Sequence, residues 1–141
     1  MVKDVSGRRV HREILYGLTM EKFLDDDGYP TEEFLKEVRE WKFETNEDLL
    51  KWFQFIHPIW YNNDAPWWEE RVQPHDIFPD RYDVRCFDIS TSGWSGNEEI
   101  ILAMQANEWC WHFAWVQSRR GGHYIFEVKI PKMPKVENGQ N

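Results

Sequence analysis

Residues 90–98 combine side chains and backbone features that could bind an anion. This segment holds three serines, one threonine and two glycines in nine residues, between a predicted strand and a predicted helix. The first turn of a helix leaves backbone N–H groups unpaired and carries a positive partial charge. Hydroxyl groups add donors, and glycine lets the backbone approach a ligand closely. The segment therefore predicts an anion cradle, formed by Ser90, Thr91, Ser92, Gly93, Trp94, Ser95, Gly96 and Asn97.

A purely structural interpretation of the same segment stays open. Ser95 and Glu98 fit the S-x-x-E capping box of a helix start, which needs no ligand. The segment also lacks the P-loop pattern GxxxxGK[ST] and the dinucleotide fingerprint GxGxxG. A cap does not account for residues 90–94, however. Trp94 could stack on a base or sugar, or it could belong to the core.

A basic segment at residues 119–123 offers a second set of donors. Guanidinium groups form bidentate hydrogen bonds with phosphate and carboxylate oxygens. A solvated charged turn is the alternative. The candidate binding residues here are Arg119, Arg120, Gly121, Gly122 and His123. If the strand before Ser90 and the strand before Arg119 are parallel neighbours, both segments lie on one rim of the sheet. We therefore predict a single ligand-binding rim.

Acid and base groups near these segments suggest an enzyme as the alternative. His112, His123 and Asp88 could transfer protons during cleavage of a phosphate ester, with Arg119 and Arg120 stabilising charge. Arg85 could be a further donor. No HExxH motif and no zinc-ligand spacing of His and Cys is present. The leading expectation is therefore binding without catalysis, with no metal and no cofactor.

The length, composition and net charge of the chain limit the class of partner that it can bind. Its 141 residues, 41% of them hydrophobic, fit one domain with a core. A net charge of −8 disfavours general nucleic-acid binding, which needs a basic field. Acidic residues between Asp25 and Asp48 leave open a protein-binding inhibitor of a basic host factor. We expect no membrane span and no signal stretch, and Cys86 and Cys110 predict buried thiols in adjacent strands, in a reducing cytoplasm.

Hydrophobic periodicity predicts an α+β fold, with one domain at 1–131 and a polar tail at 132–141. Residues 1–13 are predicted to form an arm or an edge element, and an apolar stretch at 14–24 ends in an Asp-rich turn at 25–28. Helices beginning at Thr31 and capped by Asn46 are predicted to pair as an N-terminal helical hairpin. Residues 57–81 carry four prolines and predict a long ordered loop, which could cover the site or seal the core.

The second half of the chain predicts a β-α-β-β unit, a small sheet with one crossover helix. Alternation of apolar and polar residues predicts strands at 82–89, 109–117 and 123–130. A helix is predicted at 97–108 between the first two strands. The Gly-Gly pair at 121–122 predicts a hairpin between the last two strands.

Three motifs of this chain resemble a group of uncharacterised small proteins encoded by tailed bacteriophages. The motifs are DGYPT at 27–31, STSGWSGNEEII at 90–101 and SRRGGHYIF at 118–126. Ser92 departs from the glycine of that pattern. The resemblance implies a phage origin and a host-cytoplasm setting, and it carries no catalytic role. Together with the two candidate segments, it suggests counter-defence by sequestration of a small anionic, nucleotide-like host immune signal. A homo-oligomer that completes the pocket is a further expectation.

Overall fold

The computed structural model describes residues 21–132, which form an α+β structure with helices packed against a four-stranded antiparallel sheet. The α+β class expected from the sequence is therefore confirmed. The predicted arm at 1–13, most of the apolar stretch at 14–24 and the tail after Lys132 lie outside the described residues. The predicted turn at 25–28 is present, with the Asp25 carboxylate accepting hydrogen bonds from the N–H groups of Asp27 and Tyr29.

The first two helices form where apolar residues recur at helical spacing. Helix α1 (Glu32–Glu40) begins after Thr31, whose hydroxyl accepts a hydrogen bond from the Phe34 N–H. Helix α2 (Asn46–Ile56) is capped by Thr45 rather than by Asn46, because Thr45 and Asp48 form a reciprocal capping box. Backbone N–H groups of Glu44 and Thr45 donate to the Asp48 carboxylate and hold its pKa below the ordinary value.

Helix α1 packs mainly against α3 (Ser95–Ala106) rather than against α2. Side chains of α1 and α2 do touch, since the rings of Phe34 and Phe55 stack at 5.1 Å between centroids. The Trp52 indole also donates to the Val38 carbonyl at 3.1 Å. The predicted pairing of α1 and α2 as a helical hairpin is therefore not confirmed. A short 3-10 helix, His57–Ile59, follows α2.

Residues predicted as the start of a strand at Trp109 form a helix instead. Helix α4 (Glu108–Ala114) follows α3 after a single residue, Asn107. The Asn107 side chain accepts from the Cys110 N–H at 3.1 Å and donates to the carbonyls of Val38 and Trp41. This buried amide caps α4 and fixes it to α1. The strand prediction was wrong here because nearly every side chain in the segment is large, so alternation does not separate helix from strand.

The sheet has the order β1-β2-β4-β3, and every neighbouring pair is antiparallel. Its strands are β1 (Trp68–Pro74), β2 (Tyr82–Ser90), β3 (Trp115–Arg119) and β4 (His123–Pro131). Strand β1 lies inside the segment predicted to be a loop, which corrects that prediction. The expectation that β2 and β3 are neighbours is also wrong, because β4 lies between them. Since both are antiparallel to β4, however, β2 and β3 run in the same direction.

The core forms between the helices and one face of the sheet. Phe53 of α2 lies flat against Phe87 of β2, with 4.1 Å between ring centroids and an interplanar angle of 10°. It also contacts Phe126 of β4 at 5.2 Å. These rings are fully buried. Large aromatic rings thus join the helical layer to the two central strands.

Both cysteines are buried and free, although Cys110 lies in α4 rather than in a strand. Burial raises the pKa of the Cys110 thiol to about 11 and also raises the pKa of Cys86 above 9.0. Protonated thiols are poor nucleophiles, so the folded protein is expected to resist a thiol reagent such as DTNB at pH 8. In urea, both thiols should react.

The sign of the pH effect on stability follows from the same raised pKa values. The folded state holds these protons more tightly than the unfolded state. The stability that the protonated thiols contribute is therefore complete below about pH 9 and is lost as pH rises toward 11. Rapid labelling of both thiols in the folded protein at pH 8 would contradict this assignment.

Candidate functional site

The two predicted binding segments meet at the end of the sheet. The Thr91 N–H donates to the Gly122 carbonyl at 2.9 Å, and Ser90 is the register partner of His123. Gly122 has a φ of +80°, and a Cβ built on it would lie 2.3 Å from Thr91 Oγ1. We call residues 90–93 and 119–123 the rim. The structure thus brings the Ser/Thr loop and the β3–β4 turn into direct backbone contact.

Much of the hydrogen-bonding capacity of the loop is used within the loop itself. The Ser92 hydroxyl donates to the Thr91 carbonyl at 2.7 Å, and the Ser92 N–H donates to Ser90 Oγ at 3.2 Å. The Trp94 N–H also donates to the Thr91 carbonyl. Positive φ values at Ser92 and Gly93 close this tight turn. The loop is therefore a preformed element of the rim rather than a row of open donors.

The arginine pair provides the open donors of the rim. Arg119 and Arg120 are both exposed, and Arg119 Nε donates to Gln117 Oε1 at 3.3 Å. Neither guanidinium pairs with a carboxylate within residues 21–132, whereas Arg39 and Arg85 do. In a chain of net charge −8, two guanidinium groups that pair with no carboxylate of the described part of the chain form a local cationic point at one turn.

The start of α3 does not face the rim as an open cradle. Trp94 is its N-cap and makes no side-chain capping bond, so the predicted Ser95–Glu98 capping box is absent. The Trp94 ring lies between Tyr29 and Tyr61, with centroid distances of 4.7 and 5.3 Å. Its indole nitrogen would be 2.6 Å from a Cβ on Gly96, so the ring covers the first turn of the helix.

The other predicted residues of this helix start have structural contacts. The Ser95 hydroxyl hydrogen-bonds with the Tyr29 hydroxyl at 2.9 Å. The buried Asn97 amide accepts from the Tyr61 N–H and donates to the Tyr61 and Thr91 carbonyls. These bonds attach the segment after α2 to the loop. Trp94, Ser95 and Asn97 are thus engaged in structural contacts, and Asn97 and Trp94 support the rim through the Thr91 carbonyl rather than presenting open donors.

Three residues of the connection between α2 and β1 border the rim, and the candidate binding set did not include them. Asn62 donates to Ser92 Oγ at 3.5 Å, and the Trp67 carbonyl accepts from the Ser90 N–H at 2.8 Å. Tyr61 and Trp67 are 54% and 39% exposed, so their rings are accessible beside the loop. The many aromatic residues at 57–68 indicated that this segment could cover the site. They did not indicate which of its residues lie beside the rim.

Two of the three candidate acid/base groups are in contact. The Asp88 carboxylate touches His123 Nε2, and Arg71 Nη1 lies 3.6 Å from its other oxygen. His123 is itself part of the rim. His112 lies elsewhere, exposed on α4 against Phe113. Arg85 pairs with Glu70 at 3.2 Å, away from the rim. The structure therefore brings together an Asp–His pair that the sequence only offered as separate residues.

No protein-family model, curated protein or solved structure was found to match this chain. Among residues 21–132, no helix is long and apolar enough to cross a membrane. The same residues contain no group of three or more His, Cys, Asp or Glu side chains placed to hold a metal ion.

Proposed function

We propose that the rim binds a small phosphate-bearing, nucleotide-like ligand and sequesters it without chemical change. The observation that carries this proposal is the backbone contact between Thr91 and Gly122, which places the exposed arginine turn beside the Ser/Thr loop. Two guanidinium groups would bind phosphate oxygens in the bidentate manner that Arg favours. The ligand would be held at a preformed turn, which lowers the entropy lost on binding.

The aromatic residues beside the rim suggest how a base would be held. Trp67 is partly exposed, and its backbone carbonyl accepts from the Ser90 N–H of the loop. Tyr61 is also exposed, with one side of its ring packed against Trp94. Stacking on an aromatic ring contributes roughly 1–3 kcal/mol per base and tolerates different bases. We therefore propose that the arginine turn binds the phosphate of the ligand and that an aromatic ring of the 60–67 segment stacks on its base. Trp94 is less suitable because both Tyr29 and Tyr61 pack against it.

The biological setting of this proposal follows the resemblance to tailed-phage proteins. A phage protein that captures a nucleotide signal in the host cytoplasm would lower its free concentration and so weaken a defence response. Such a binder needs no general affinity for nucleic acid, which agrees with the acidic composition of the chain.

The binding test uses thermal shift and calorimetry with nucleoside mono-, di- and triphosphates, cyclic mononucleotides and cyclic dinucleotides. At least one of these classes is expected to raise the melting temperature of the full chain. The double variant Arg119→Ala/Arg120→Ala is expected to weaken that binding by at least about 10-fold, since hydrogen bonds to charged groups contribute roughly 1.5–3 kcal/mol.

Arg81→Ala is the matched control for this experiment. Arg81 is also exposed and lies on the connection before β2, at the opposite end of the strand from Ser90. This control should leave binding within about 2-fold of wild type. The proposal fails if no class binds, or if the arginine pair and Arg81 have equal effects.

Phosphoester cleavage is the second candidate, and the Asp88–His123 contact favours it. Water would attack phosphorus, His123 would accept the water proton, and the P–O bond to the leaving alcohol would break as that proton returned to its oxygen. Asp88 would orient the imidazole. The two candidates separate in one measurement: a sequestered ligand is recovered intact after denaturation, and a substrate is recovered cleaved.

A further inference from the structure

An apolar surface remains exposed at the β3 edge of the sheet. Its members are Trp109 and Phe113 of α4, which are 72% and 54% exposed, and Trp115 and Val116 of β3, which are 42% and 41% exposed. The Trp109 and Phe113 rings lie parallel, 6.1 Å apart. We call these four residues the edge patch.

The size of the edge patch is that of an interaction surface. Large aromatic side chains each carry 150–250 Å², so these exposed fractions leave roughly 400 Å² of apolar side-chain surface on the neighbouring elements α4 and β3. Contiguous apolar areas of this size on soluble proteins often bind a partner. A standard interface buries about 800 Å² on each side, so the patch would supply about half, with the rest coming from its polar surroundings.

Strand β3 adds an unpaired backbone edge to this surface. Among residues 21–132 it is the outermost strand and pairs only with β4, and each of its five residues is exposed. The register with β4 slips between Trp115 and Gln117, so the regular part of this edge is the run from Gln117 to Arg119. An exposed strand edge is a template for pairing with another strand.

We propose that the edge patch binds a second copy of this chain, forming a two-fold symmetric dimer in which the two β3 edges run antiparallel. Two-fold symmetry requires one surface to complement itself. The β3 edge meets this requirement because its two ends differ in chemistry. Its beginning carries Trp115 beside the aromatic α4, and its end carries Arg119 and Arg120.

An antiparallel arrangement sets these unlike ends against each other. The guanidinium faces of one copy would lie against the aromatic end of the other, where cation–π contacts form. The N–H edges of the same groups would stay free for the phosphate proposed above. Glu108, exposed at the first turn of α4, adds a negative charge next to Trp109 in the chain. A parallel arrangement would instead place arginine beside arginine. Charge and ring placement therefore favour a second copy over an unrelated apolar partner.

Sedimentation velocity of the full chain over about 1–200 µM tests the dimer. The wild-type protein is expected to reach twice the 17.2 kDa chain mass, with a melting temperature that rises with concentration. Phe113→Glu places a charge in the patch and is expected to raise the dimer dissociation constant at least about 10-fold. Trp109→Ala, at the most exposed position, is expected to weaken the dimer in the same direction without a risk to folding.

Phe78→Glu is the matched control, since Phe78 is 47% exposed on the connection between β1 and β2. It should leave the dissociation constant within about 3-fold of wild type. The proposal is overturned if the wild-type chain stays monomeric at 200 µM. It is equally overturned if a dimer forms but responds to Phe78→Glu rather than to Phe113→Glu and Trp109→Ala.

Discussion

The substitution Phe53→Ala is expected to lower the free energy of unfolding by about 3–5 kcal/mol, the usual range for truncating a buried phenylalanine. Phe53 has no exposed surface, and its ring stacks on Phe87 at 4.1 Å and meets Phe126 at 5.2 Å. Its removal leaves a cavity between α2 and both central strands. Urea unfolding followed by tryptophan fluorescence measures the loss.

Phe78→Ala provides the comparison for this core substitution. Phe78 is 47% exposed, and its ring contacts the Arg81 side chain. Even with the loss of that contact, its truncation should change the free energy of unfolding by no more than about 1 kcal/mol. A loss below 1 kcal/mol for Phe53→Ala would mean that the helices do not pack on the sheet through this ring.

The rim is expected to be most sensitive at Gly122. Gly122→Ala should lower the free energy of unfolding by about 2–4 kcal/mol, for two reasons. Its φ of +80° is unfavourable for a residue with a Cβ by roughly 1–2 kcal/mol. The new Cβ would also lie 2.3 Å from Thr91 Oγ1, which forces the loop and the turn apart.

Two further variants separate these reasons. Gly121→Ala shares the positive φ, at +90°, but its Cβ would meet nothing within 4 Å, so it reports the backbone strain alone. Thr91→Ala combined with Gly122→Ala removes the clashing oxygen and leaves Thr91 Cβ at 3.4 Å. The double variant should therefore be less destabilised than the sum of its single variants. Equal losses for Gly121→Ala and Gly122→Ala would show that the rim segments do not touch.

The elements that the sequence predicted well have local signals. A helix was expected to begin at Thr31, and α1 begins directly after that residue, which is its N-cap. The Gly-Gly pair joins β3 to β4 as expected. Strand β1 was missed because its segment contains proline at both sides. Pro66 precedes the strand and Pro74 ends it, so neither interrupts the ladder with β2. A strand that exposes most of its side chains also shows little hydrophobic alternation.

The candidate site was predictable in its location and not in its internal arrangement. The common direction of β2 and β3 was inferred from a crossover between neighbours, yet it arises because β4 is antiparallel to both. No local pattern specifies which strand inserts between two others. The burial of Gly96 under the Trp94 ring depends on Tyr29 and Tyr61, which are distant in sequence. Glycine and serine composition cannot separate a covered helix start from an open one.

The placement of β4 has a consequence for the order in which the chain can fold during synthesis. Strand β2 can pair with β1 as soon as both are synthesised. Within residues 21–132, the second edge of β2 and strand β3 both pair with β4. A nascent chain that ends before residue 123 lacks β4 and therefore cannot complete the four-stranded sheet. The local β3–β4 hairpin can form quickly once translated, whereas its docking beside β2 joins residues about 40 positions apart and is the slower event.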